Sequence, residues 1–199
     1  MSYDLPLFLT TLEAVLDHGF DLIVKSVRAR TAPMHTPVVS TIGRDGLPRS
    51  RVVVLRAFEP ESRVLRFHTD VRSEKYHELA ADPRIAVLFY DPAEKIQLRV
   101  EGHATLHRDD EVSDAAWVSS QAMSKLCYAT EPGPGHEIDH RDDFYLPRDR
   151  TEAETGRAHF AAVTIVIDEL DFLWLGSEGN RRAVYRFNPQ QTDARWCVP

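Results

Sequence analysis

Arg51-Val52-Val53-Val54-Leu55-Arg56 sets two guanidinium groups around four apolar residues. Side chains alternate across a regular strand, so Arg51 and Arg56 are expected on opposite faces, one free to hold an anion while the other reaches elsewhere. The stretch lies within a strand predicted over Ser50–Phe58. Gly43-Arg44-Asp45-Gly46 joins it to a strand over Val38–Ile42, and an Asp-Gly pair between two such runs is a hairpin signal, so the pairing is antiparallel.

Towards the N-terminus, Leu5, Leu9, Leu12, Leu16, Phe20, Ile23 and Val27 recur at helical spacing. They predict an amphipathic helix over about residues 5–30, capped by Asp4, with Gly19 as a kink or a division. Towards the C-terminus, Val64–Thr69 reads as a strand and Ser73–Ala81 as a short helix stopped by Asp82-Pro83. Ile85–Tyr90 and Ile96–Leu106 are strands joined by Asp91-Pro92, and a second helix runs from Asp109 to about Lys125. Residues 130–157 carry no sustained period and read as a long surface loop. Phe160–Leu175 and Ala183–Phe187 are the closing strands. No repeat or linker divides the chain, so residues 1–199 are expected to form one mainly β (α+β) domain.

With 43% apolar and 28% charged residues, the 199-residue chain can bury a full core. A formal charge of −7, from 31 acids against 24 bases, argues against a nucleic-acid or acidic-membrane surface. The expected anion is therefore small. No window approaches the roughly 20 apolar residues that span a bilayer, and Asp4 stands where a secretory signal is basic, so the expected location is cytoplasmic. Cys127 and Cys197 match no metal spacing and are expected as free thiols. His103 and His107 lack a third partner, His136 and His140 lie in the acidic loop, and no metal site is expected.

A small anion has a natural place at Ser73 and Lys75, where a strand hands over to a helix whose first N–H groups are unpaired. Arg51 offers a bidentate grip there, and Arg72 is a further candidate cation. Each residue alone also fits a helix cap, a solvated lysine or a strand-edge charge. The joint order is more specific: Arg-x-Val-x-Leu-Arg at 51–56, His68-Thr69, Ser-x-Lys at 73–75, Asp-Pro-Arg at 82–84, and Gln97 five residues before Gly102. Trp117-Val118-Ser119-Ser120-Gln121 follows, and then Phe172-Leu173-Trp174 and Arg182-x-x-x-Arg186.

This pattern resembles the FMN-binding split barrels of the pyridoxamine 5'-phosphate oxidase family. The resemblance implies a six-stranded split β-barrel with peripheral helices, a homodimer, and FMN at the interface with both subunits contributing. It implies that Arg51, Val52, Val53, Val54, Leu55 and Arg56 line the flavin and its phosphate, that His68 and Thr69 meet the ribityl region, and that Ser73 and Lys75 hold the phosphate. Gln97, Gln121, Trp174 and Arg186 would meet the ring system or its chain, although Trp174, amid Leu170, Phe172 and Leu175, also reads as core.

The sequence departs from the oxidase itself in several places. Glu74 stands where the oxidase has a positive residue. The segment between Gly102 and Trp117 is short and lacks the Tyr, Arg and Ser that hold the substrate phosphate, and Val184 replaces the substrate-contacting His. The resemblance therefore implies an FMN-dependent oxidoreductase acting on an unassigned small molecule, with no evident general acid or base and the chemistry left to the cofactor. The alternatives are a true pyridoxamine or pyridoxine 5'-phosphate oxidase with a remodelled phosphate site, and a module that holds flavin or haem without turnover.

Overall fold

The computed structural model describes residues 5–199, so the cap expected at Asp4 lies outside the described residues. The first long helix, α1 (Leu12–Arg28), starts after a 3-10 turn at Leu7–Thr10. Thr11 caps it by accepting the Ala14 N–H. Gly19 neither kinks nor divides it: a Cβ there would already touch Phe172 at 3.4 Å, so the absent side chain lets the helix lie close on the sheet.

The expected Ser50–Phe58 strand is two strands. β1 (Val38–Ile42) pairs antiparallel with β2 (Pro48–Val52), and β3 (Leu55–Glu59) pairs with β4 (Val64–Asp70) instead. Between β2 and β3 only Val53 and Val54 intervene, and the Val53 N–H bonds the Pro37 carbonyl at 3.0 Å. After β4 come α2 (Glu74–Ala81), β5 (Arg84–Asp91), β6 (Ile96–His107), α3 (Glu111–Ser119), α4 (Ala122–Lys125), β7 (Phe160–Trp174), β8 (Arg181–Phe187) and β9 (Thr192–Cys197). Nine strands form one sheet in the order β2-β1-β5-β6-β7-β4-β3, with β8 and β9 branching from β7. β2 and β3 are thus the two ends of the path, yet three Cα steps, about 11 Å at most, separate Val52 from Leu55. The sheet must curl until its ends nearly meet, which is a split barrel. The resemblance implied six strands and the sequence pattern marked seven; the two beyond those seven are the β2–β3 division and β9, a short tail strand that follows the Asn188–Gln191 turn.

The long strand β7 organises the rest. One edge pairs with β6 throughout, while the other is shared by β4 over Phe160–Val166 and by β8 over Glu169–Trp174. A bulge at Asp168 separates the two halves, since Glu101 faces Glu169 and Gly102 faces Ile167. It reverses which side chains point inward, so Val163, Ile165 and Ile167 and then Leu170 and Phe172 all reach one core. That core also takes Val15, Leu22 and Ile23 from α1 and Leu65, Phe67, Leu98 and Val100 from the sheet. Tyr185 Oη donates to the Leu12 carbonyl at 2.6 Å and ties α1 to β8.

On the opposite face of β4 and β7, Ala116, Trp117, Phe160 and Ala162 make a second, smaller cluster with Tyr128 packed on it. The helix expected over 109–125 breaks here, because Ser119 and Ser120 turn their hydroxyls back onto the Ala116 carbonyl and Ser120 is extended. The 130–157 segment is less irregular than its sequence: Glu131 bridges Tyr145, and a 3-10 stretch runs over Arg150–His159.

Candidate functional site

β4 delivers His68 and Thr69 to opposite faces, as its alternation requires, and the chain then turns into α2. Thr69 Oγ1 lies 3.0 Å from Ser73 Oγ and accepts a hydrogen bond from Lys75 Nζ at 3.0 Å, while Ser73 Oγ lies 2.7 Å from the Asp70 carbonyl. Ser73 is thereby engaged upstream and does not cap α2. The N–H groups of Glu74 and Lys75 have no acceptor among the described residues, so the positive end of the helix is open beside a lysine. Burial, and next the Arg51 guanidinium, push the Lys75 amine below its usual pKa. An anion placed here would oppose that shift by favouring the charged amine.

His68, Thr69, Lys75, Tyr128, Pro132 and Pro134 line a cleft of about 330 Å³ at this point. Arg56 is a charged neighbour of two of these residues, His68 and Tyr128. Burial, then Arg56, then Arg66 lower the pKa of His68 to about 3, so the imidazole is neutral. Its Nε2 and the Nε atoms of Arg56 and Arg66 are buried without a hydrogen-bond partner, and no carboxylate pairs with Arg56 or Arg66 among the described residues. Buried donors of this kind are costly unless something meets them. Trp117, Tyr128 and Phe160 form an edge-packed aromatic trio beside His68, whose ring stands edge-on to Phe160 at 4.8 Å.

Two of the expected phosphate cations are already occupied. Arg51 NH2 pairs with Glu78 at 2.7 Å, and its NH1 bonds Thr41 and the Arg49 carbonyl. Arg72 is not a free cation at the helix mouth: it clasps Asp70 and Glu131 and donates to the Tyr128 and Thr130 carbonyls, fastening the root of the 130–157 segment. No local motif signals this clamp, because its partners lie up to 59 positions away.

Among the aliphatic residues of the opening stretch, Val53 and Leu55 turn into the core, while Val52 is exposed and Val54 half-buried. Gln121 is the N-cap residue of α4. Gln97 is on β6 and Trp174 at the end of β7, where the indole packs on the core and over Gly176. Arg186 is on β8, paired with Glu169. Arg186, His103 and Asp168 belong to a larger groove of about 620 Å³. There His103 pairs with Asp168 and Arg186 with Glu169. The smaller cleft is the better receptor, since it holds the unpartnered Nε2 of His68 and a lysine that no carboxylate pairs with among the described residues.

Tyr128 and Arg66 are the contributors that motif reading missed. Both sit at positions without a sequence signal, and only the register that sets Arg66 opposite Thr164 and the packing of Tyr128 on Phe160 bring them in. Among the described residues no group of three or more His, Cys, Asp or Glu is placed to hold a metal, and no helix is long and apolar enough to cross a membrane. Neither cysteine is disulfide-bonded.

Residues 20–108 match the family described as pyridoxamine 5'-phosphate oxidase, FMN-binding domain. Over 182 residues the chain is 31% identical to the pyridoxine/pyridoxamine 5'-phosphate oxidase of Cupriavidus pinatubonensis, covering 87% of this chain and 82% of the relative. Among solved structures it is similar to a pyridoxamine 5'-phosphate oxidase-related, FMN-binding protein of Nostoc punctiforme, with a TM-score of 0.74, 21% identity and coverage of 92% and 96% of the two chains. PhzG of Burkholderia lata, solved with tetrahydrophenazine-1-carboxylic acid, superposes with a TM-score of 0.73 at 19% identity over 100% of this chain and 99% of that one. At these identities the two structures speak for the fold, the FMN-binding split barrel with its open sheet.

Proposed function

Because this chain belongs to the pyridoxamine 5'-phosphate oxidase family, we propose that it is a cytoplasmic, homodimeric oxidoreductase that binds FMN in the cleft between β4, α2 and Tyr128 and acts on a small molecule. The observation that carries this reading is what one cleft gathers: the Lys75 amine, bonded to Thr69 but paired with no carboxylate among the described residues, the open N–H groups of α2, and the buried, unpartnered Nε2 of His68, with the unpartnered Nε of Arg56 as its neighbour. A phosphate at one end and a polar ring edge at the other would meet them, and the residues present therefore fit the group.

When bound, FMN supplies the acceptor and donor of hydride. The chain's own residues bind, orient and exclude water. Lys75 and the first N–H groups of α2 would hold the phosphate, with Thr69 fixing the lysine and Ser73 fixing Thr69. Arg56 carries a cation to the flavin edge, where it favours negative charge. Neutral His68 donates or accepts one hydrogen bond, and Val52 and Val54 offer apolar surface. Gln97, Gln121, Trp174 and Arg186 are assigned to the side of the pocket completed by a second subunit. No side chain is assigned as general acid or base.

A second reading, oxidation of pyridoxamine or pyridoxine 5'-phosphate, is favoured by the 31% identity to an enzyme of that name. Val184 and the short 102–117 segment oppose it. Incubation with pyridoxamine 5'-phosphate and FMN under air decides between the two: we expect no aldehyde product, and its formation at an enzymatic rate would establish the second reading. A protein that is colourless as purified and takes up no added FMN would remove both.

A further inference from the structure

Glu78 on α2 has a side chain only 5% exposed, yet it carries no catalytic assignment and belongs to no motif. Its Oε2 accepts from Arg51 NH2 at 2.7 Å and from Thr41 Oγ1 at 2.5 Å, and its Oε1 lies 3.2 Å from Arg49 Nε. One carboxylate thus engages two arginines and a hydroxyl. Lys75, one turn earlier, pairs with no carboxylate among the described residues. Its amine nevertheless feels Arg51 as a lowering neighbour and Asp70 and Glu78 as raising ones, which places Arg51, Glu78 and the lysine within one electrostatic neighbourhood.

We infer that Glu78 is an internal counter-anion that competes with the cofactor's phosphate for Arg51, and so sets how strongly this site prefers a phosphorylated flavin over an unphosphorylated one. The inference rests on the flavin reading above and deepens it. A phosphate approaching Lys75 meets a guanidinium whose charge is already matched and a fixed carboxylate that repels it. Glu74, at the first position of α2, adds a second acidic group at the same end of the helix. Removing the charge of Glu78 while keeping its shape therefore strengthens the grip on a phosphate. It changes nothing for a ligand without one. The amide oxygen of a glutamine keeps the acceptor for Thr41 and Arg51, and only the Oε1 contact with the half-exposed Arg49 is given up. A residue whose only role were to hold α2 against β1 and β2 would have the opposite effect, loosening both flavins together.

The test is a pair of titrations, FMN and riboflavin, on the wild-type chain and on Glu78→Gln, followed by quenching of flavin fluorescence at low ionic strength. We expect Glu78→Gln to tighten FMN by about tenfold, the size of one partly screened charge interaction near a surface, with riboflavin unchanged and the gain shrinking as salt is added. The wild-type chain alone gives a second readout that needs no variant: its preference for FMN over riboflavin should be modest, about tenfold or less. Unchanged or weakened FMN binding in Glu78→Gln, or a wild-type preference above about a thousandfold, overturns the role of Glu78 while leaving the flavin site standing. Binding of neither flavin by the wild type removes the flavin reading itself.

Discussion

Burial and the neighbouring Arg56 and Arg66 keep the His68 imidazole neutral, with a pKa near 3 against an ordinary 6.5. The unfolded chain takes up a proton at His68 as pH falls below about 6.5, whereas the folded chain resists until about 3. The stability this residue contributes is therefore full above about 6.5 and is lost progressively on acidification, by up to about 1.4 kcal/mol per pH unit. Urea denaturation across that range should show the slope, and His68→Phe should flatten it. A wild-type stability that does not fall between neutral and mildly acid pH would contradict the neutral imidazole. Thr69, Ser73 and Lys75 were legible in the sequence because their contacts span six residues or fewer. The pairing of Arg51 with Glu78 was not, since it joins positions 27 apart and depends on how α2 lies on β1 and β2.

At the level of elements, the hairpin of β1 and β2, the strands β4 to β8 and the helices α1 and α2 could all be read from periodicity and turn residues. The division at Val53-Val54 could not, because an unbroken apolar run looks the same whether it continues one strand or crosses between two. The bulge at Asp168 was equally hidden: its signature is a change of parity along β7, visible only once both partner strands are placed. Gly102 is where that bulge becomes a requirement, since a Cβ there would lie 2.1 Å from the Val166 carbonyl oxygen. Gly102→Ala should destabilise the fold by about 1–3 kcal/mol in chemical denaturation, and an unaltered midpoint would mean the strands part freely at the bulge. Arg72 makes a parallel case. Replacing it with alanine removes the guanidinium from Asp70 and Glu131 and frees the Thr130 carbonyl, leaving His159 alone on the Tyr128 carbonyl. Hydrogen exchange over residues 128–134 should quicken in Arg72→Ala, whereas unchanged protection there would show that the prolines and the Glu131–Tyr145 bridge hold the segment without the clamp.

Across the whole molecule, curling the sheet brings β2 and β3 together at one end of the barrel, and the polar cleft opens beside them. Gln97, Trp174 and Arg186 lie on other parts of the sheet, as a pocket completed by a second subunit would need. Sedimentation should accordingly give the mass of two chains, and a strict monomer that still binds flavin would confine the site to one subunit. The central claim is that the open end of α2, with Lys75, receives the phosphate of FMN. Titration of the wild type and of Lys75→Ala with FMN, read by quenching of flavin fluorescence, tests it most directly. Saturable binding of one FMN per chain is expected, loosened by about 1–3 kcal/mol in Lys75→Ala. Equal affinity in the two proteins, or no quenching in either, would contradict it.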